Sequence, residues 1–275
     1  MIIGNWKSNM LKKTLWCQDF ENEFKPLGFD HKPNPQSWLN CRMGVAVPTI
    51  DVLDMQKVCD HYFGDWYKRD DVYELIFDIG VQDVDHSSGS RTGAISVDMI
   101  SEYLCYFAII GHSERRQLFN EDNDVIKKKL KTLHRFAEGG FNEITTTILC
   151  IGETKEENDK GITKDVLKDQ LKIVNGLRLD GEFTVAYEPV WAIGSGLTPE
   201  PKDINEIHKY IKDVVQSNSA NNLIPSVLYG GSVTDKNAES FFKEEFVDGA
   251  LVGSASLDGS TFAKIVNIFN STKKT

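Results

Sequence analysis

Apolar residues in this chain fall into short runs that fill odd and even positions alike, at about Ile2–Trp6, Gly44–Val47, Leu75–Val81, Phe107–Ile110, Thr147–Ile151, Phe183–Tyr187, Ser226–Tyr229 and Gly249–Val252. A strand with one wet face alternates apolar and polar residues. A strand covered on both faces does not, and parallel sheets are the usual home of the second kind. Each run therefore predicts a buried parallel strand. Between the runs the spacing becomes helical, over Val125–Ala137, Thr163–Leu177, Asp203–Gln216 and Asn237–Phe242. In the third of these, Ile204, Ile207, Ile211, Val214 and Val215 form an apolar stripe. Thr49, Ser96, Asp122, Thr234 and Ser260 stand at expected helix starts and are of types that cap them.

Eight strands alternating with helices leave two α/β architectures, an open doubly wound sheet and a closed (β/α)8 barrel. The count of eight favours the barrel, and no G-x-G-x-x-G follows the first strand, as a dinucleotide-binding sheet would require. A length of 275 residues suits one barrel with some insertion. No linker divides the chain, so residues 1–275 read as a single barrel domain. Two stretches read as insertions: Gly28–Asn40, with Pro33 and Pro35, and the charged, aromatic Tyr62–Glu74.

Composition narrows the function. A net charge of −10 argues against general nucleic-acid binding and requires a local positive site for any anionic substrate. Five cysteines, at 17, 41, 59, 105 and 150, are odd in number and lack C-x-x-C spacing, which favours reduced thiols and a cytoplasmic location. The first residues lack the pattern of a secretory signal, and no segment approaches the ~18 apolar residues of a membrane span.

In a barrel the chemistry belongs at the C-terminal ends of the strands. The sixth run ends in Ala186-Tyr187-Glu188-Pro189-Val190-Trp191-Ala192-Ile193-Gly194-Ser195-Gly196. Pro189 removes a ladder donor, so Glu188 stands at a strand end, followed by an apolar segment with a glycine-rich end. That pattern reads as a base beneath a lid; the plain alternative is a strand-to-helix turn with a surface glutamate. Asn5 and Lys7 share a face at the end of the first strand. Lys7 is a candidate anion-binding charge; the plain alternative is a solvated strand-end lysine. His112 follows the fourth strand where a helix begins, and the positive end of that helix would keep the imidazole neutral; a structural histidine is the other reading. Glu114, Arg115 and Arg116 read as a supporting ion-pair network, Cys150 as a core residue, and Glu153 as a capping or pairing group. Glycines after the last two strands, in Tyr229-Gly230-Gly231-Ser232-Val233 and Gly253-Ser254, would let backbone N–H groups converge on a phosphate.

Taken in order, these elements resemble the triosephosphate isomerase family. The resemblance is carried by Gly4-Asn5-Trp6-Lys7-Ser8-Asn9, Gly111-His112-Ser113-Glu114-Arg115-Arg116, Cys150-Ile151-Gly152-Glu153, Tyr187 to Gly196, Tyr229 to Val233 and Asp248 to Leu257, with Gln82 and Thr92-Gly93, and runs from residue 2 to about residue 269. It implies a single-domain (β/α)8 TIM barrel and a cytoplasmic homodimer that interconverts dihydroxyacetone phosphate and D-glyceraldehyde 3-phosphate through an enediolate. It implies no metal and no organic cofactor, and the charge and the lack of an apolar span set aside nucleic acid and membrane as partners. By this resemblance Glu188 is the base, neutral His112 the electrophile, and Lys7 and Asn5 the polar binding groups. Gly194, Ser232, Gly253 and Ser254 hold the phosphate. Pro189, Val190, Trp191, Ala192, Ile193, Gly194, Ser195, Gly196 and Leu197 form the lid, and Thr92 sits on the loop that reaches a partner subunit. Closure is expected to raise the basicity of Glu188 by excluding water.

The chain departs from the family pattern at Ser254, where a second glycine is usual, at Ala94 in place of Glu, at Leu197 in place of Lys, and at Asp83 in place of Asn. None removes a catalytic group. The competing readings are a catalytically inactive homologue and another phosphosugar isomerase on the same fold. The intact Asn5, Lys7, His112 and Glu188 argue against the first, and the Glu188 lid block against the second.

Overall fold

The last strand lies beside the first. In the computed structural model, which describes residues 1–24, 42–63, 77–103, 105–138, 146–179, 182–194 and 197–273, eight parallel strands close into a barrel. They are β1 (Ile2–Asn5), β2 (Met43–Val47), β3 (Phe77–Val81), β4 (Phe107–Ile110), β5 (Thr146–Ile151), β6 (Glu182–Tyr187), β7 (Ser226–Tyr229) and β8 (Ala250–Val252). Each pairs with the next, and β1 pairs with β8 in register Ile2↔Ala250. The α-helices of the described residues are α1 (Lys13–Glu23), α2 (Val52–Phe63), α3 (Val97–Glu102), α4 (Ser113–Leu118), α5 (Asn123–Glu138), α6 (Lys155–Asp159), α7 (Thr163–Gln170), α8 (Pro201–Asn218), α9 (Ala238–Phe242) and α10 (Gly259–Thr272).

The missing alternation in the strands has a direct cause. Ile3, Ala46, Phe107, Ile109, Ile148, Cys150, Ala186, Leu228 and Leu251 fill the barrel interior. The intervening residues, such as Ala108, Ile110, Val185 and Val227, pack outward in the larger core with the helices. Outside β1, Trp16 and Phe20 of α1 stack at 5.4 Å and meet Phe77 and Phe262, and the Trp16 indole N–H donates to the Ser256 carbonyl at 2.9 Å. Cys17, Cys59, Cys105 and Cys150 are buried free thiols. Among the described residues no helix is long and apolar enough to cross a membrane.

The expected helices differ in detail. The Thr163–Leu177 helix tightens into a 3₁₀ turn at Leu171–Val174, and Gly176 then adopts φ 67°, a left-handed conformation that ends it. Ser96 accepts from the Met99 N–H and Asp122 from the Val125 N–H, so both cap as expected. Thr49, Thr234 and Ser260 do not. Pro48 precedes the 3₁₀ turn of Thr49, Asn237 takes the Thr234 N–H, and Asp258 caps α10 through Thr261. Of the two expected insertions, Gly28–Asn40 lies outside the described residues. So does Tyr62–Glu74 beyond Phe63, where α2 ends.

Candidate active site

Side-chain parity brings Glu188 to the barrel mouth. Ala186 faces the interior, so Glu188, two residues on, follows it inward and is 2% exposed. The neighbouring strand ends are bare where they pass it. A Cβ on Gly152 would lie 1.7 Å from the Glu188 carbonyl oxygen, and one on Gly230 would lie 2.9 Å from its Cγ. His112 reaches the same place because Gly111, at φ 70°, turns the chain out of β4. Lys7 stands at φ 51°, a conformation that costs a side-chain-bearing residue about 1–2 kcal/mol. It is held there by the Asn5 Oδ1, which accepts its N–H at 3.0 Å, and by Gln82, whose Nε2 donates to its carbonyl at 2.8 Å and to that of Ala46 at 3.0 Å.

The Glu188 and His112 side chains face each other. His112 Nε2 lies 3.0 Å from Glu188 Oε1, and the Ser113 N–H donates to Oε2 at 2.9 Å. The Glu114 N–H donates to His112 Nδ1 at 3.2 Å, which leaves Nε2 as the nitrogen that carries the ring proton. Burial alone would raise the Glu188 pKa. The His112 ring, the Ser113 N–H and the Lys7 charge outweigh it and hold the carboxyl below its usual range. Burial likewise disfavours the imidazolium, and the facing Glu188 carboxylate, helped by Glu114 and opposed by Lys7, outweighs it, so the ring is more basic than an ordinary histidine. The Nδ1 contact fits the expected neutral ring, while the two directions are opposite to those expected of the ring from the helix end alone and of the carboxylate under a closed lid. The reason is the carboxylate's orientation: here it engages His112 and Ser113. Lys7 is also paired, with Nζ 2.6 Å from Glu114 Oε1.

A cavity of about 600 Å³ opens above this pair, lined by Asn5, Lys7, His112, Glu188, Gly194, Ser232, Gly253 and Ser254. All eight residues singled out from the sequence for catalysis and phosphate holding thus meet in one place. The N–H groups of Ser232, Gly253 and Ser254 have no acceptor among the described residues. Ser254 opens a short 3₁₀ turn and lies outside the left-handed region, which among non-glycine described residues holds only Lys7, Asn120 and Asn222. The segment expected to form the lid begins as a 3₁₀ turn at Val190–Ala192, with Gly194 at φ 66°. Glu153 fastens it, accepting from the Trp191 indole at 2.7 Å and the Tyr187 hydroxyl at 3.1 Å, while its carbonyl takes the Val190 N–H at 3.1 Å. Ser232 Oγ donates to the Ala192 carbonyl at 2.7 Å. Ile193 lines the cavity, Leu197 is exposed, and Ser195 and Gly196 lie outside the described residues.

Thr92 is away from the cavity, exposed on the loop after β3, where Asp85 pairs with Arg91 at 2.8 Å. Sequence reasoning missed two contacts, the Lys7–Glu114 pair and the Ser113 N–H on Glu188. Both arise from the two residues after His112, and only the closed barrel brings them to their partners.

A sequence model of the triosephosphate isomerase family matches residues 1–269. The triosephosphate isomerase of Chlamydia felis (strain Fe/C-56) is 41% identical over 98% of this chain and 97% of its own length. That of Legionella pneumophila (strain Lens) is 37% identical over 98% of both chains, and that of Aquifex aeolicus (strain VF5) 43% identical over 66% of this chain and 72% of its own. A closed eight-stranded parallel barrel and a family match over nearly its whole length agree: this chain is an isomerase that belongs to the triosephosphate isomerase family.

Proposed function

We propose that the chain interconverts dihydroxyacetone phosphate and D-glyceraldehyde 3-phosphate, with Glu188 as the base. The observation that carries this reading is a buried carboxylate 3.0 Å from a buried imidazole, in one cavity with Lys7 and with backbone N–H groups from two strand-end turns. The reaction moves a proton between adjacent carbons through an enediolate. It needs one base above the plane of the intermediate and donors where charge develops on oxygen. Bound phosphate would accept from the N–H groups of Gly194, Ser232, Gly253 and Ser254. Asn5 and Lys7 would hold the polar end, with Lys7 turning from Glu114 toward the developing charge.

In the described arrangement both Glu188 oxygens are engaged. Substrate must therefore draw the carboxylate away from His112 and the Ser113 N–H. That exchange removes the interactions that hold its pKa down, while burial, which raises it, remains. It also removes the carboxylate that makes His112 basic, leaving a ring suited to donate from Nε2 as a neutral imidazole. A carboxylate base with a neutral histidine is the familiar arrangement of this enzyme family. Closure of residues 189–197 would exclude water and keep the enediolate from expelling its phosphate. Proton transfer of this kind calls on no metal or organic cofactor.

A homodimer is part of the same reading. Met10, Ile50 and Phe119, 82%, 83% and 62% exposed, stand on the segments after β1, β2 and β4, and the Thr92 loop follows β3. The segments after β1, β2 and β4 thus carry large exposed apolar side chains, the kind of surface that marks an interface. Its location is proposed as cytoplasmic, with neither nucleic acid nor membrane as a partner. The test is a coupled assay with glyceraldehyde 3-phosphate on the purified chain and on Glu188→Ala. The variant should fold and lose about 10²–10⁴ in kcat, and near-normal turnover would refute the assignment.

A further inference from the structure

Beneath the catalytic groups lies a second cluster of charges, away from the cavity. Asp83 follows Gln82 directly after β3. Both its carboxylate oxygens accept from the Lys129 ammonium, at 2.7 and 2.8 Å, and Oδ2 lies 2.9 Å from Arg115 Nε. Glu121, in the turn between α4 and α5, completes the cluster, with Oε1 2.7 Å from Lys129 Nζ and 2.6 Å from an Arg115 terminal nitrogen. Lys129 is only 3% exposed. One buried cation, Lys129, and one half-buried cation, Arg115, are thus matched by two carboxylates, each bridging both.

The cluster touches both catalytic groups at one remove. Gln82, adjacent to Asp83, holds the carbonyl of Lys7 in its left-handed conformation. Arg115 sits on α4, three residues after His112, which caps that helix. We propose that Asp83 is a proton-responsive positioning residue: its carboxylate clamps the end of β3 to α4 and α5, so fixing Lys7 and His112, and protonation of that carboxylate loosens both. This rests on Lys7 and His112 acting as proposed above.

Among the described residues, the charged groups that face Asp83 from the packed elements are Lys129 from α5, Arg115 from α4 and Glu121 from the turn between them. Its own segment adds Asp85 and His86, which are 3.5 Å apart, with Asp85 also held by Arg91. Burial pushes the Asp83 carboxyl up, with the Glu121 charge adding to the effect, and Lys129 and Arg115 oppose it, giving about 6. Glu121 is held below its usual range by Arg115 and Lys129 against burial. The first proton taken up on acidification therefore goes to Asp83. It removes one of the two carboxylate charges facing Lys129 and leaves the cluster with a net positive charge.

Asp83→Asn fixes the uncharged state at every pH with little change in shape. The probe is sulfate, whose charge stays constant over the range used. Its dissociation constant is measured by competition with the triose phosphate at about pH 5 and about pH 8, on the full chain and on the variant. The ratio of constants, variant over wild type, should be near one at the acid end and rise to about threefold to tenfold at the alkaline end, as for loss of one charge-assisted contact felt indirectly. Taking the ratio cancels the titration of His112 and Glu188. A ratio that does not change with pH overturns the role of Asp83 alone. Failure of sulfate to compete at all in the wild type overturns the site reading and the proposal with it. If the variant does not fold, a carboxyl-carbon NMR titration of the wild type decides. The Lys7 amide resonance should move with the same midpoint as Asp83, and an amide that does not follow would overturn the proposal.

Discussion

His208 makes acid stability a measurable consequence of one buried side chain. It lies on α8, is fully buried, and stands edge-on to Tyr187 at 6.0 Å. Its Nδ1 lies 3.2 Å from the Phe246 carbonyl, while Nε2 has no partner among the described residues. A ring with one nitrogen on a carbonyl and the other bare is neutral. Burial pushes its pKa down to about 3, with the Lys212 charge adding to that and the Phe246 and Val227 backbone contacts opposing it. In the unfolded chain the same ring titrates near the ordinary value of about 6.5. Between these values the unfolded state binds a proton that the folded state refuses. The stability from a neutral His208 is therefore complete above about pH 6.5 and is lost as pH falls toward about 3. At pH 5 the loss is about 1.5 pH units times 1.36 kcal/mol, or about 2 kcal/mol. The assay is urea unfolding of the wild type and of His208→Gln at fixed protein concentration, at about pH 7.5 and about pH 5. The glutamine can still donate to the Phe246 carbonyl but cannot take up a proton. The variant should start less stable and lose about 2 kcal/mol less across the interval. Equal losses in the two proteins would refute the linkage.

Lys7→Ala should raise KM and lower kcat together, because among the described residues it is the one lysine or arginine lining the cavity of an acidic chain; steady-state kinetics that match the wild type would make it a mere partner of Glu114. Ser254→Gly should leave KM nearly unchanged, since Ser254 already avoids the left-handed region; a tenfold fall in KM, about 1.4 kcal/mol, would show that the serine obstructs phosphate. Deleting Ile193 to Ser195 should divert the enediolate toward methylglyoxal and inorganic phosphate, read as a changed product ratio, and an unchanged ratio would deny the lid a guarding role.

The strands were legible because burial on both faces leaves a one-dimensional trace that no helix of this length shares. Placement of Glu188, Asn5 and the glycine turns followed from strand parity and from where strands stop. Three kinds of feature lacked such a trace. Contacts between residues distant in sequence, such as Lys7 with Glu114, 107 positions apart, depend on closure of the barrel. Side-chain direction at the site depends on what the groups meet, so the mutual engagement of Glu188 and His112 is invisible to spacing. Polar residues can also join an apolar stripe: His208 is buried between Ile204 and Ile211, where the pattern showed only the aliphatic positions. The cap at Asp258 in place of Ser260 shows the same limit locally, since both residue types suit the role and backbone geometry selects one.

Pairing of β1 with β8 sets a timetable for the chain's birth. Ile2 lies beside Ala250, so the first strand of the barrel to leave the ribosome finds one of its neighbours only after the last strand has been made. Until then the nascent sheet has two open edges and an apolar inner face with no lining on the far side. At about 5–20 residues per second this exposed interval lasts on the order of tens of seconds. Unpaired edges of buried, apolar strands are the surfaces on which growing chains stick to one another. The closed ring that gives the finished enzyme no sheet edge therefore leaves its unfinished form with two edges open to other chains.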